Sequence, residues 1–431
     1  MSHMGPMRLM GLIGLMRLMG LMGLMGLIGL MSSCQSDETP TPALSEVEIT
    51  SYVAGFEENS TATRGSYEAY EAYGAYEAYE PNGANEPYGA YGAYRAYGAY
   101  GVPGMKHAWA VPSGYTAYED GDKTIGINFT KDGEAPLSGH FFKSSGKWRT
   151  NLELANAGTY YLYGYIPHTS GISCSVTDRN GTQAHFSEGA ILTLENVPAI
   201  LPNDLCVVIG AKDGTDKETV TGLRSGDFAY AAKAIKGTGD EDPQGNFVFL
   251  LFDHLYAALR IRMRVNGEYN ALRTIKLKKL QLQTKVGDDH VQEKTRIDIT
   301  LKATDGSDPS ESPITDISFT PSGPEITEGI EFWSSSDEVL TTSYSSYIGH
   351  FMPLDVTQLI LVSTYDVYDK KGNLLRENCK AKNTFELKEL FSEQLTTRRG
   401  CRYTINLTIK PTYLYVLSEP DLQNPTVEIE S

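Results

Sequence analysis

Residues 258–265 read ALRIRMRV, and this stretch decides the fold class. Leu259, Ile261, Met263 and Val265 alternate strictly with Arg260, Arg262 and Arg264. A period of two puts the apolar side chains on one face of an extended strand and the arginines on the other, so one face is buried and the other wet. The neighbouring stretches repeat the rhythm. IKLKKLQLQ (275–283), RIDITLK (296–302) and QLILVSTYDVYD (358–369) are further strands, the last leading into the turn DKKGN. After Gly400, Tyr403, Ile405, Leu407 and Ile409 alternate with Thr404, Asn406, Thr408 and Lys410. Pro411 has no N–H to give to a ladder and interrupts that strand, and residues 412–431 form an extended tail. One short helix is expected in NTFELKELFSEQL (383–395), where Leu387, Leu390 and Phe391 take helical spacing and Asn383 with Glu386 resembles a capping box.

Upstream, EVEITSYVA (46–54) reads as one strand. From Met105 the chain runs in short strands separated by turns: TIGINF, GTYYLYGYIP, ILTLENV, CVVIGA and DFAYAAKAI. GTGDEDPQG (237–245) breaks that series and is the best boundary. The expectation is an all-β chain of two β-sandwich domains, 46–240 and 241–431, with the short helix in the second. At 431 residues each domain is large enough to bury its own core. The formal charge of −17 disfavours nucleic acid, whose affinity comes largely from phosphate neutralisation, and disfavours anionic membranes.

The first residues carry an export pattern: Arg8 and Arg17, then the uncharged LMGLMGLMGLIGLM (18–31), then Ser32, Ser33 and Cys34. That apolar run is shorter than the roughly 20 residues a spanning helix needs. Residues 1–33 are therefore read as a signal peptide. Met31-Ser32-Ser33-Cys34 resembles the bacterial lipobox, in which the cysteine becomes the first mature residue and carries lipid, and 34–45 would be the lipidated tether. QSDE after Cys34 looks like an acidic tag for the outer face of the outer membrane. Cys174, Cys206, Cys379 and Cys401 remain; four cysteines allow three pairings, and spacing does not choose among them.

Residues 66–101 are a low-complexity insertion, with YEAYEAYGAYEAYEP followed by YGAYGAYRAYGAYG. A period of three gathers the tyrosines on one side of neither a helix nor a strand, so the segment is read as an exposed linker. Arg64 lies just before it in STATRG, and Arg95 is the basic residue inside it.

NFVFLLFDHLYAALRIRMRV (246–265), LRTIKLKKLQLQT (272–284) and RRGCRYTINLTIKPTYLYVLSEPDLQNPTVEI (398–429) resemble the fimbrillin family, the lipoprotein pilus subunits of anaerobic Gram-negative bacteria. The resemblance implies two sandwiches of transthyretin-like, Greek-key topology and assembly into a surface fimbria with other fimbrial subunits. It also implies maturation by an arginine-specific protease, here at Arg64 or Arg95, which removes the N-terminal strand. The groove so opened is filled by a donor strand from another subunit, here Thr412, Tyr413, Leu414, Tyr415, Val416 and Leu417. Head-to-tail contacts of that kind build filaments. Two alternatives stand beside this one: an anchor or tip lipoprotein that keeps its first strand, and a surface glycan-binding lipoprotein presenting Trp109, Trp148 or Trp333.

No protease, hydrolase, P-loop or paired-cysteine signature occurs, so no enzyme, cofactor or metal site is expected. His254 in FDHLYA is read as a hydrogen-bonded core or edge histidine, and DGSDPSES (305–312) as a solvated turn.

Overall fold

The structure is a computed structural model that describes residues 44–59, 115–118, 123–154, 158–214, 224–231, 247–304, 312–390, 397–411 and 420–428. In chain order the strands begin with β1 (Ser45–Ala54), β2 (Glu57–Asn59), β3 (Tyr115–Ala117), β4 (Ile125–Thr130), β5 (Leu137–Ser144) and β6 (Lys147–Thr150). Next come β7 (Thr159–Ile166), β8 (Ser173–Asp178), β9 (Gly189–Pro198), β10 (Ile200–Leu201), β11 (Cys206–Gly214) and β12 (Ala229–Ala231). Beyond residue 240 lie β13 (Phe247–His254), β14 (Ala257–Val265), β15 (Arg273–Val286), β16 (Asp289–His290), β17 (Gln292–Lys302) and β18 (Ile314–Glu325). The last are β19 (Ile330–Leu340), β20 (Ser345–Phe351), β21 (Gln358–Asp369), β22 (Leu374–Glu386), β23 (Cys401–Pro411) and β24 (Pro420–Glu428). The chain is all-β, as the alternations imply, and among the described residues no helix is long and apolar enough to cross a membrane.

The largest sheet curls until it meets itself. From β11 the order runs through β13, β1, β6, β5, β4 and β7, and β7 pairs back onto β11. Val47, Ile125, Ile127, Phe129, Phe141, Leu162, Val208, Leu250 and Phe252, drawn from alternate positions, form one buried cluster that fills this ring. Tyr163, Tyr165, Val207, Ile209, Phe249 and Leu251, the intervening residues of β7, β11 and β13, belong to a second and larger core. Burial on both faces explains why 247–252 reads as a continuous apolar run while β14 alternates.

That larger core is a sandwich. One layer has the order β10-β20-β14-β23-β2, and β14 lies parallel to β23 with Leu259, Ile261, Met263 and Val265 opposite Tyr403, Ile405, Leu407 and Ile409. The facing layer, β16-β15-β21-β22 with β19 on β15, supplies Ile275, Leu277, Leu280, Leu282, Leu359 and Leu361. A four-stranded sheet, β18-β17-β9-β8, draws strands from both sides of residue 240. Gly189 opens β9 at φ +121, where a Cβ would collide with the Leu301 carbonyl of β17. Gly189→Ala is therefore expected to destabilise by about 3 kcal/mol or more, read from urea unfolding; a cost below about 0.5 kcal/mol would refute the packing described.

Within the helix expected over 383–395, Leu387–Leu390 is helical, but its first turn is strand. Asn383–Glu386 completes β22, paired through Leu361↔Asn383 and Gln358↔Glu386, and only Leu387–Leu390 is helical. A full cross-strand ladder outweighs the local capping pattern; 391–396 lie outside the described residues. The turn TDRNGT is organised by Asp178, wholly buried, which accepts backbone N–H bonds from Asn180, Thr182, Ala184 and His185 at 2.6–3.2 Å. Burial pushes the Asp178 carboxyl up, but the Thr182 hydroxyl and these N–H groups overcome it and hold the pKa at about 2. The stabilisation is complete above the unfolded value of about 3.9 and drains away as pH falls toward 2. Asp178→Asn should flatten the dependence of urea midpoint on pH in that window, and an unchanged slope would refute the assignment.

Candidate functional site

Residues 44–59 are used twice. β1 slots into the ring between β13 and β6, parallel to the first (Glu48↔Phe247 to Val53↔Phe252) and antiparallel to the second (Ser45↔Thr150 to Val47↔Trp148). β3 also pairs with it through Tyr52↔Ala117. Two residues later β2 joins the sandwich, parallel to β23, with the Glu57 N–H donating to the Gly400 carbonyl at 2.8 Å. The segment is thus a strap that closes the ring at one end and extends the sandwich at the other.

On β23 the strap shares an edge with the C-terminal tail. β14 occupies one side from Arg402 to Ile409, β2 takes the other side at 401–403, and β24 takes it from Asn406 to Pro411. N-terminal and C-terminal segments therefore lie end to end along one strand. Both hold on by backbone pairing, which any extended segment of suitable face pattern can supply.

Charge lines the strap. Glu46 reaches Lys147 at 2.8 Å and Arg149 at 3.3 Å; Glu57 reaches Arg398 at 3.5 Å; Glu58 reaches Arg260 at 3.6 Å and pairs with Arg402. These pairs are partly solvated, so they guide register more than they stabilise. Arg260 thus accounts for part of the wet face seen in the sequence: its guanidinium reads the strap.

The tightest anchor is between β1 and β2. The Ala54 carbonyl accepts from His254 Nε2 at 2.6 Å, and Phe56 stacks on the imidazole with ring centroids 3.7 Å apart. His254 ends β13 and is buried; its Nδ1 lies 2.6 Å from Asp204 Oδ2. Asp204 Oδ2 also accepts from the Cys206 thiol at 3.1 Å, and Cys206 Sγ is 3.7 Å from His254 Nδ1. Burial pushes the Asp204 carboxyl up, but the hydrogen bond and charge of His254 hold it below the usual carboxylate range. Burial, and then the Asp204 charge, raise the Cys206 thiol well above its ordinary value. Nitrogen, carboxylate oxygen and sulfur all lie within 4.8 Å of one another, which makes this trio the candidate metal-holding group among the described residues.

The sequence reading placed His254 as a hydrogen-bonded core residue, and that is its position. It names Cys206 only as one of four cysteines open to pairing and misses Asp204, whose signal is its place two residues before that cysteine at the mouth of an apolar strand. Trp148 and Trp333 are half-buried and pack against the ring core and the sandwich core. Cys174, Cys206, Cys379 and Cys401 are thiols rather than disulfide halves. Cys34, Arg64, Arg95, Trp109, the tyrosine repeat and Thr412–Leu417 of the expected donor strand lie outside the described residues.

No family model matches the chain, and neither does any curated protein. Among solved structures it is similar to a candidate cell adhesion protein of Bacteroides fragilis NCTC 9343, at 10% identity and a TM-score of 0.38, covering 90% of this chain and 98% of that one. The fimbrial anchor protein Mfa2 of Porphyromonas gingivalis matches at 9% identity and a TM-score of 0.22, covering 88% and 95%. Candidate polysaccharide-binding proteins of Bacteroides thetaiotaomicron VPI-5482 match at 8% identity and a TM-score of 0.26, covering 67% and 84%. Likeness at this level carries no functional weight, and the function argued next rests on the chain's own geometry.

Proposed function

We propose that the chain is a structural subunit of a cell-surface fimbria that serves adhesion. It is exported as an outer-membrane lipoprotein on Cys34, freed of its strap by an arginine-specific protease at Arg64 or Arg95, and polymerised by donor-strand exchange with other subunits. Transthyretin-like, Greek-key topology is its structural premise. The observation that carries it is the strap itself: a parallel stave supplied from far away in sequence, closing a ring whose other described staves come from 125–254. Withdrawing β1 leaves β13 and β6 with unpaired donors and acceptors beside an apolar groove, at about 1–3 kcal/mol for each buried unsatisfied group. An extended segment of a neighbouring subunit, Thr412–Leu417 in this reading, relieves that cost. Because donor and acceptor surfaces differ, the contact propagates head to tail.

A second reading has its own support. The His254–Ala54 bond and the Phe56 stack pin the strap, which favours an anchor or tip lipoprotein that is never cut. Mass spectrometry of the N-terminus on surface-expressed protein separates the two. The fimbrial reading expects Gly65 or Ala96 as the first residue, and lipid on Cys34 in every surface copy would overturn cleavage. Electron microscopy of cells expressing the chain with and without 412–431 tests the donor: filament length unchanged by the deletion would rule that segment out.

A further inference from the structure

We propose that Asp204, Cys206 and His254 form a zinc site that locks the N-terminal strap in its seat. Asp204 lies two residues before Cys206, the first residue of β11, with its Oδ2 3.1 Å from the thiol, and the ladder register sets Cys206 directly opposite His254. Two paired strands therefore hold the thiol and the imidazole, and the segment entering β11 brings the carboxylate to them. The donor set is one thiolate, one imidazole and one carboxylate. Sulfur and nitrogen exclude calcium and magnesium as preferred ions, and zinc takes all three donor types.

The distances fit. Bond lengths of about 2.0–2.3 Å in a tetrahedral zinc site place ligand atoms roughly 3.3–3.6 Å apart. The Cys206–His254 separation of 3.7 Å is already there, and the Asp204 contacts of 2.6 and 3.1 Å need to open by less than ~1 Å. Asp204 is the member able to move, because its side chain is 17% exposed while that of His254 is 2% exposed. That exposure is also the entry path for the ion.

Two further features point to a ligand. Asp204 Oδ1 is buried with no hydrogen-bond partner, so a second carboxylate oxygen stands ready for the metal or for a metal-bound water. His254 Nε2–H donates to the Ala54 carbonyl, the outer-shell bond that fixes a metal-binding histidine and directs its other nitrogen at the ion. Binding is an exchange of cations: Zn²⁺ enters, and the Cys206 thiol proton and the proton shared between His254 Nδ1 and Asp204 Oδ2 leave for solvent. Thiolate and carboxylate neutralise the dication, so no net charge is buried. Through His254 the ion fixes the Ala54 carbonyl and the Phe56 stack for as long as the strap is seated.

The test uses the purified full chain, reduced and stripped with a chelator, with Co²⁺ as spectroscopic probe and Zn²⁺ as competitor. One equivalent of Co²⁺ should produce a thiolate charge-transfer band and the intense visible bands of a four-coordinate site, and one equivalent of Zn²⁺ should abolish both. Cys206→Ser should remove the band and weaken zinc binding at least about tenfold, while Cys401→Ser and Cys174→Ser retain it. No band in the parent chain, or a band that survives Cys206→Ser, overturns the site. Should Cys206→Ser not fold, zinc-edge X-ray absorption of the parent chain decides: one sulfur with nitrogen and oxygen supports the site, and a shell without sulfur overturns it. Zinc should also slow amide exchange across 44–59; unchanged exchange overturns the lock.

Discussion

A chain lacking residues 44–59 is expected to self-associate, and a peptide of sequence 44–59 is expected to reverse that association. The deletion opens the ring along β13 from Phe247 to Phe252, bares β6 at 148–150, and frees the β23 edge at 401–403. It also removes Val47, buried at 4% exposure, and the flanking Ile49 and Val53 from the ring core. Unsatisfied buried backbone groups at about 1–3 kcal/mol each, together with lost apolar burial, amount to a large part of the roughly 5–15 kcal/mol that holds a domain folded. The opened edge then recruits any compatible strand, whether peptide or neighbour. Size-exclusion chromatography with light scattering, with and without peptide, reads the result. A peptide carrying Val47→Asp and Val53→Asp should not restore the monomer, since it offers hydrogen bonds without the apolar face. A shortened chain that stays monomeric and resists urea like the parent would show that the strap closes nothing.

His254→Ala should be the most damaging single substitution in the strap's seat, at about 3–5 kcal/mol in chelator-containing buffer. It strands the Asp204 carboxylate beside a buried thiol, deletes the bond to Ala54 and removes the face on which Phe56 stacks. Asp204→Asn should cost less, about 1–2 kcal/mol, because an amide keeps a polar contact and the Nε2–H bond to Ala54 survives. Urea unfolding gives both values, and hydrogen exchange locates the loss: the larger part should fall on 44–59. The acid behaviour follows from the depressed Asp204 pKa. Its stabilisation is present in full above the unfolded value of about 3.9 and is lost as pH falls through the lower folded value. A His254→Ala cost below about 1 kcal/mol would remove the clasp from the account.

How much of this the sequence discloses depends on the range of each interaction. The alternation of Leu259, Ile261, Met263 and Val265 made β14 legible, since a period of two is a local property of extended backbone. The strand at 46–54 was legible for the same reason, whereas 247–252, buried on both faces, is a continuous apolar run without alternation. Asn383 and Glu386 misled, because capping is also local and a neighbouring strand, β21, had the stronger claim on them. His254 was recognisable as a satisfied core histidine. Its partners were not, because Asp204 lies 50 positions away and Ala54 200 away.

The order of residues alone determined that this protein is built of strands, where most of them run, and that its surface is acidic, because those properties are sums over near neighbours. Only the tertiary structure decided that β1 enters parallel to β13 to close a ring, that strap and tail share one edge of β23, and that Asp204, Cys206 and His254 meet. Register between distant strands depends on how whole faces pack, and no short window of sequence contains that information.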